Sequence, residues 1–153
     1  MNNKKVDLVV TGFIFLDNKV LLAHHKKLDI WLPLGGHIEK DETPDQALKR
    51  EIKEEANLKI EILNQSELPL TGNVKENLAI PFYVNVHSVG DHLHCSLFYV
   101  CRAFNAKKLK INKELKDYKW FSKQDLNKKI VPIDVKNQAL KAFKIWNLKS
   151  KKQ

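Results

Sequence analysis

Residues 35–58 read GGHIEKDETPDQALKREIKEEANL and contain a glycine loop followed by the clearest helix in the chain. Thr43 can cap the first turn of this helix, and Pro44 suits the first helical position. Gln46 stands three residues after Thr43 and completes a capping box. Asn57 can adopt the left-handed conformation that often ends a helix. The four signals together predict a helix between Thr43 and Asn57.

Three glutamates of this helix are spaced so that they share one face. Glu51, Glu54 and Glu55 stand at i, i+3 and i+4, where Cβ atoms lie about 5 to 6 Å apart. Their like charges repel, and Arg50 can neutralise only part of that charge. A solvated acidic face would show the same spacing. The other interpretation is a hard divalent cation, Mg²⁺ or Mn²⁺, which takes oxygen ligands and would offset the repulsion.

The same stretch resembles the signature of the Nudix hydrolases, G-x5-E-x7-R-E-U-x-E-E-x-G-U, where U is apolar. Eight of the nine specified positions match in type and spacing: Gly36, Glu42, Arg50, Glu51, Ile52, Glu54, Glu55 and Leu58. Asn57 stands where the family has glycine, and asparagine is the next best residue for a left-handed helix end. Leu34 stands where relatives often place proline, which concerns only the shape of the loop. A match of this length identifies the chain as resembling a Nudix hydrolase.

The resemblance implies a fold and an activity. It covers most of the chain, because the flanking strands, the segment with Trp120 and the C-terminal helix also look like parts of a Nudix domain. The implied fold class is α/β, an α/β/α sandwich around a central mixed β-sheet. The implied reaction is hydrolysis of a diphosphate linkage in a nucleoside triphosphate, a dinucleoside polyphosphate, a nucleotide sugar or a similar substrate.

The resemblance also implies which residues bind the metal and the substrate. Carried over by position, the metal ligands are Glu51, Glu54, Glu55 and a backbone carbonyl of Gly35 or Gly36. Glu51 is also the candidate for activating water, and Arg50 would orient the carboxylates by hydrogen bonds. Glu39 and Glu42 are expected as additional ligands or on the substrate side of the site. The ion would neutralise diphosphate oxygens and lower the pKa of bound water.

Glu114 is the candidate for one further carboxylate, from a loop outside the signature. Nudix enzymes often recruit such a group shortly before a tryptophan-bearing strand, and Glu114 precedes Trp120 by a similar spacing. If that loop folds over the helix, Glu114 would ligate the metal from the opposite side or activate water. Asp117 is the alternative donor, and an ordinary surface position is the alternative role for Glu114.

Two histidines are candidates for contact with the substrate. His92 and His94 alternate along a strand, so both would point to one face, where His94 would line the cleft. His25 follows the second strand in a basic segment before the glycine loop, where it could reach a phosphate. For both candidates, a solvated or packed position without function is the alternative.

The remainder of the chain is predicted to be mostly strand. Runs rich in β-branched and aromatic residues predict strands at 6–16, 19–23, 59–63, 79–87, 92–104 and 118–121. Residues 134–148 predict a second helix, because apolar residues recur there on one face. That face is expected to pack in the core. Cys95 and Cys101 lie roughly 20 Å apart along one strand, so no disulfide is expected between them.

Length and charge limit the class of protein. With 153 residues and 43% hydrophobic content, one domain over 1–153 is expected, with disordered ends at 1–5 and 149–153. The net charge of +9 favours anionic partners, but no stacking aromatics are interleaved with the lysines, so nucleic acid is unsupported as a partner. Neither a signal peptide nor a membrane helix is recognisable, which predicts no membrane partner and a cytoplasmic location.

Two alternatives to hydrolysis share the fold. A Nudix-fold module could bind nucleotides or RNA ends without turnover, although such a protein has no reason to maintain repelling glutamates. An isoprenoid diphosphate isomerase would be expected to carry a catalytic cysteine and a longer chain. The expected partner is therefore a small nucleotide substrate, whose identity lies in loops outside the signature, and a homodimer stays open.

Overall fold

A computed structural model describes residues 3–151, in which four strands precede the first of two α-helices and four more precede the second. The strands are β1 Val6–Leu16, β2 Lys19–His25, β3 Ile30–Leu32, β4 Leu34–His37, β5 Ile60–Ile62, β6 Tyr83–Ser88, β7 Leu93–Ala103 and β8 Leu115–Phe121. The helices are α1 Pro44–Ala56 and α2 Ile133–Ser150, and short 3-10 helices lie at Ala106–Lys108 and Asp125–Asn127.

The ends of the chain differ in part from the expected disorder. Residues 1, 2, 152 and 153 lie outside the described residues. Lys149 and Ser150 form the last turn of α2, so the disorder expected there is wrong. At the other end, the Lys5 carbonyl accepts a hydrogen bond from the Leu93 amide at 2.9 Å, which joins the start of β1 to β7. Both ends are therefore ordered closer to the termini than composition indicates.

The eight strands form one mixed sheet. Its main order is β3–β2–β1–β7–β5, and β4 pairs with β1, β6 with β7 and β8 with β2. The long central strands β1 and β7 are parallel, whereas the other pairs are antiparallel. In the β1–β7 register, Asp7 lies opposite His94. The predicted mixed sheet is confirmed.

Alternation along β1 places a hydrophobic core on each face of the sheet. Val10 and Ile14 belong to the core under α1, whereas Phe13 and Phe15 belong to the core under α2. Phe15 stacks on Trp146 of α2 with ring centroids 5.0 Å apart. Burial of each such side chain contributes about 1.5–3 kcal/mol of transfer free energy. The sheet therefore lies between two helices, which confirms the α/β/α sandwich.

The caps of α1 are those that the sequence predicts. The Thr43 hydroxyl accepts a hydrogen bond from the Gln46 amide at 3.2 Å, and the Gln46 side chain accepts one from the Thr43 amide at 2.9 Å. At the other end, Asn57 is left-handed at φ 55°. Its amide donates to the Lys53 carbonyl at 3.0 Å. The caps fix where α1 begins and ends, and thereby where its glutamates lie.

The glycine segment is a strand, so its assignment to a loop is wrong. Residues of β4 pair with β1, and Gly35 lies opposite Thr11. A Cβ atom on Gly35 would lie 2.0 Å from the Val10 carbonyl oxygen, so only glycine permits this approach. Local propensity misses the strand because pairing with β1, rather than its own side chains, stabilises it.

Two further expectations concern the membrane and the cysteines. Within residues 3–151, neither helix is long and apolar enough to cross a membrane. The cytoplasmic location stays a prediction. Cys95 and Cys101 both lie on β7 as free thiols, as the sequence predicts.

Candidate active site

The backbone of β4 lies directly against the glutamates of α1. A Cβ atom on Gly36 would lie 2.2 Å from the Glu51 carboxyl carbon. The Gly35 amide donates a hydrogen bond to Oε1 of Glu55 at 3.1 Å. The two glycines therefore let main chain and carboxylates share a space that any side chain would fill.

Glu51, Glu54 and Glu55, here called the carboxylate cluster, differ in their exposure to solvent. Glu55 is buried with 9% of its surface exposed, whereas the Glu51 and Glu54 side chains are 18% and 58% exposed. Burial raises the pKa of Glu55 to about 8, the Gly35 hydrogen bond lowers it, and neighbouring carboxylates raise it further. Burial also raises the pKa of Glu51, against the influence of Arg50. Full ionisation of the cluster would therefore leave more negative charge than its surroundings compensate.

Arg50 lies at the centre of a hydrogen-bond network. Its Nε and Nη2 donate to the two carboxylate oxygens of Glu42 at 2.7 and 2.9 Å. Its Nη1 donates to Glu51 at 3.0 Å and to Glu54 at 3.4 Å. Nη2 also donates to the His37 carbonyl at 3.0 Å, which links the network to β4. Arg50 is therefore placed to orient the cluster, the role expected of it.

Glu42 lies on the far side of Arg50 from the cluster. Both of its carboxylate oxygens accept hydrogen bonds from Arg50, and these bonds, with one from the Glu39 amide, lower its pKa to about 2. Glu42 is absent from the described residues that line the cleft. The geometry thus gives Glu42 the task of positioning Arg50, and it argues against the expected contact with substrate.

A cleft of about 600 Å³ opens beside the carboxylate cluster. Its lining on the α1 and β4 side includes Gly35, Gly36, Arg50, Glu51, Glu54 and Glu55. Elsewhere it includes His25, Glu39, His94 and Glu114. All the predicted site residues except Glu42 therefore meet at one cavity.

Glu114 reaches this cavity from the loop before β8. The Glu114 amide donates to the Asn112 side chain at 3.0 Å, and the Glu114 carbonyl accepts from the Lys26 amide at 3.1 Å. Its negative charge contributes to raising the pKa of Glu51 and Glu55, so it lies near both carboxylates. Asp117, the alternative donor, lies within β8 opposite His24 and is not among the described lining residues.

The histidines enter the cleft in different ways. His25 ends β2, and its Nδ1 accepts a hydrogen bond from the Leu28 amide at 3.2 Å. His94 lies among other imidazoles, because its Nε2 is 3.2 Å from that of His92 and its ring centroid is 5.0 Å from that of His37. The predicted common orientation of His92 and His94 is confirmed.

Several lining residues were not predicted from the sequence, among them His37, Asp134 and Gln138. His37 lies at the end of β4, and Asp134 and Gln138 lie in the first turns of α2. The pattern of α2 shows only its apolar face, and nothing local indicates that its beginning reaches the cleft. For His37, the neighbouring glycines were a signal, because a strand that approaches α1 also carries its next residue to the site.

Comparison with known proteins gives the family. The sequence-family model of the NUDIX domain matches residues 6–141 of this chain. A NUDIX-family hydrolase from Clostridium perfringens is 33% identical over 91% of this chain and 97% of its own, with a TM-score of 0.77. No curated protein matched the chain in the corresponding sequence search. The protein belongs to the Nudix hydrolase family, which confirms the resemblance.

More distant structures share the fold. An ADP-ribose pyrophosphatase from Streptococcus suis is 19% identical, with a TM-score of 0.61 over 91% of this chain and 90% of its own. An Ap4A hydrolase from C. elegans is 16% identical, with a TM-score of 0.66 over 93% of this chain and 96% of its own. At these identities the likeness extends to the fold alone.

Proposed function

We propose that the protein is a Mg²⁺- or Mn²⁺-dependent pyrophosphohydrolase that cleaves a diphosphate linkage in a nucleoside diphosphate-linked substrate. The observation that carries the proposal is the carboxylate cluster, packed against the glycine backbone of β4 at one wall of the cleft. Its partly buried like charges need a positive partner, and Arg50 already divides its donors among three carboxylates and a carbonyl.

The donor set fits a hard divalent cation. Three carboxylates and a main-chain carbonyl supply only oxygen, which Mg²⁺ and Mn²⁺ prefer. The residues that would hold the ion are Glu51, Glu54, Glu55, a carbonyl of Gly35 or Gly36, and Glu114 from the opposite side. When bound, the cation neutralises diphosphate oxygens and lowers the pKa of water that it binds.

The protein's own contribution to the reaction is orientation and proton transfer. Arg50 engages Oε1 of Glu51, which leaves Oε2 to accept a proton from water at the cleft wall. Burial raises the pKa of Glu51 and thereby its basicity. Glu114, across the cluster, is the second group placed to accept that proton. Glu51 is the candidate base, with Glu114 the alternative.

The cleft suits a nucleotide. Its volume falls within the range of about 300–1,000 Å³ that small-molecule sites occupy. His25, Glu39 and His94 line it away from α1 and are the candidates for substrate contact. Relatives named for ADP-ribose and Ap4A turnover support this substrate class.

A panel of nucleotide substrates tests the proposal. ADP-ribose, Ap4A, nucleoside triphosphates and nucleotide sugars would be incubated with Mg²⁺ or Mn²⁺, with phosphate, diphosphate and nucleoside monophosphate measured separately. We expect turnover of at least one substrate by the wild type and none above background by the Glu54→Gln, Glu55→Gln double variant. Tight binding of a nucleotide without turnover of any panel member would contradict the proposal and favour a non-catalytic binding module.

A further inference from the structure

A second group of metal-ligating side chains lies at the same cleft. Asp7, His37, His92 and His94, here called the histidine cluster, each offer one ligand atom, and these four atoms lie within 4.8 Å of one another. The β1–β7 register places Asp7 opposite His94, and the β1–β4 register places Val9 opposite His37. Asp7 and Val9 are two residues apart and share a face, so pairing brings the cluster together.

Three of the six distances between the ligand atoms are close to those around a tetrahedral zinc ion. Nε2 of His92 lies 3.2 Å from Nε2 of His94 and 3.5 Å from Oδ2 of Asp7. Nε2 of His37 lies 3.6 Å from the same oxygen. With zinc–ligand bonds of about 2.0–2.1 Å, tetrahedral geometry separates ligand atoms by about 3.3–3.4 Å. All four atoms lie within 4.8 Å of one another, so side-chain rotation could bring them to one ion.

The orientation of His92 is fixed by a carboxylate behind it. Nδ1 of His92 lies 2.7 Å from Oδ1 of Asp91, so that a proton on Nδ1 satisfies this contact and leaves Nε2 as the lone-pair donor. A carboxylate behind the imidazole is the usual support of a metal-binding histidine. Lys5 Nζ lies 2.9 Å from Oδ1 of Asp7 and also donates to Oδ2 at 3.3 Å, so an ion bound at Oδ2 would have to displace this exposed lysine.

We propose that the histidine cluster is a second metal site, specific for Zn²⁺ or a similar divalent transition ion, at the rim of the cleft. Three imidazoles and one carboxylate form a donor set that suits zinc, whereas the all-oxygen carboxylate cluster suits Mg²⁺ or Mn²⁺. The two sites therefore select different ions. This site does not depend on the proposed hydrolysis.

An ion bound there would join three strands of the cleft wall. Asp7 comes from β1, His37 from β4, and His94 from β7. The His37 carbonyl accepts a hydrogen bond from Arg50, and β4 carries Gly35 and Gly36. The ion would thus hold the strand against which the carboxylate cluster packs.

Zinc binding by untagged, full-length protein tests the proposal. Zn²⁺ would be titrated calorimetrically in excess Mg²⁺, with Co²⁺ as a spectroscopic probe of tetrahedral nitrogen and oxygen ligation. We expect one Zn²⁺ per chain for the wild type and a loss of at least about 100-fold in affinity for His92→Ala and His94→Ala. Asp91→Asn should lose about tenfold, because it only orients His92.

Two controls separate this site from the rest of the protein. His24→Gln changes a histidine that stacks on Trp31 outside the cluster and should bind Zn²⁺ like the wild type. Glu54→Gln should lose turnover but keep the zinc site, so that failure of one proposal is distinguishable from failure of the other.

His92→Gln, which keeps the side-chain size, replaces His92→Ala if the latter melts lower in EDTA. Wild-type Zn²⁺ affinity in folded His92 and His94 variants, or loss of zinc in Glu54→Gln instead, would overturn the proposal.

Discussion

The carboxylate cluster lines the cleft and the histidine cluster adjoins it through His37 and His94, but the two are built in different ways. The first follows the periodicity of a single helix, whose caps and spacing place three side chains on one face. The second draws from three strands that are distant along the chain and meet only through sheet register. A helix thus specifies a site within a few residues, whereas a sheet specifies one only when its pairing is known.

The two clusters also differ in electrostatics. The carboxylate cluster gathers three carboxylates in a partly buried place, where Arg50 donates hydrogen bonds to Glu51 and Glu54. The histidine cluster mixes imidazoles with one carboxylate and therefore need not be strongly charged. Removal of metal should therefore leave more uncompensated charge repulsion in the carboxylate cluster than in the histidine cluster.

The largest effect should come from the carboxylate cluster itself. Glu54→Gln and Glu55→Gln each preserve side-chain shape but remove a negative ligand, so kcat should fall by about 100-fold or more. Circular dichroism should show an unchanged fold. Glu67→Gln, an exposed glutamate away from the cleft, is the matched control and should keep wild-type turnover. Near wild-type turnover of either cluster variant at saturating Mg²⁺ would show that α1 does not supply the metal ligands.

Glu114 should show an intermediate effect. It faces the carboxylate cluster from another loop, so Glu114→Gln is expected to lower kcat by at least about tenfold with little change in Tm. Steady-state kinetics beside Glu67→Gln measures the difference. Equal rates for the two variants would leave Glu114 as a surface residue. Asp117→Asn should resemble the control, because Asp117 pairs along β8 with His24.

The electrostatic difference predicts a dependence of stability on pH. In metal-free protein the pKa of Glu55 is about 8, against an ordinary value of 4.5, so the folded state retains a proton that the unfolded chain releases. The free energy of unfolding should therefore fall as pH rises between these two values. Glu55→Gln should remove most of this slope and melt several degrees higher near the upper value, since 1 kcal/mol corresponds to about 2–4 °C in a chain of this size.

Melting curves in EDTA across this pH range test that prediction. Saturating Mg²⁺ should flatten the wild-type slope, because an ion bound to the carboxylate replaces the proton. Glu67→Gln serves as the control and should retain the slope. Parallel Tm profiles for wild type and Glu55→Gln would show that the pKa of Glu55 is not raised in the folded state. The cluster would then need no cation to offset its charge.

The smallest effect concerns the end of α1. Asn57→Gly removes a side chain from a residue with a left-handed backbone conformation. The relief of steric strain should stabilise the folded state by about 1–2 kcal/mol. It also removes hydrogen bonds from Asn57 Nδ2 to the Lys108 carbonyl at 3.0 Å and from Lys53 to Asn57 Oδ1 at 2.6 Å, each worth about 0.5–1.5 kcal/mol. These terms nearly cancel, so we expect a small change in Tm and unchanged kcat. A large loss of activity would reveal a functional role for the Asn57 side chain.

Local signals predicted the parts of the site that local structure builds. Thr43, Gln46 and Asn57 act through neighbours within a few residues, so the bounds of α1 and the face shared by its glutamates were predictable. The family signature added the roles of those glutamates and the sandwich around them. Long strands such as β1 were predictable for the same reason, because their alternation needs no knowledge of partners.

The remainder required long-range pairing. The glycines of β4 have little strand propensity, and their strand exists because Thr11 and its neighbours pair with it. His92 and His94 were predictable as a pair, but their approach to Asp7 depends on the parallel register of β1 and β7. For Glu42, the spacing from Arg50 indicates proximity to the site, whereas only the geometry shows that Arg50 donates to both its carboxylate oxygens.

The most direct test of the central claim is turnover after thorough removal of metal. Wild-type protein freed of metal by chelation would be assayed on the substrate that the nucleotide panel identifies, before and after addition of Mg²⁺, Mn²⁺ or Ca²⁺. We predict no turnover without metal and full recovery with Mg²⁺ or Mn²⁺. Ca²⁺ should restore turnover poorly, because it prefers longer and more flexible coordination. Full turnover in the metal-free sample would contradict the account that the carboxylate cluster acts by holding a divalent cation.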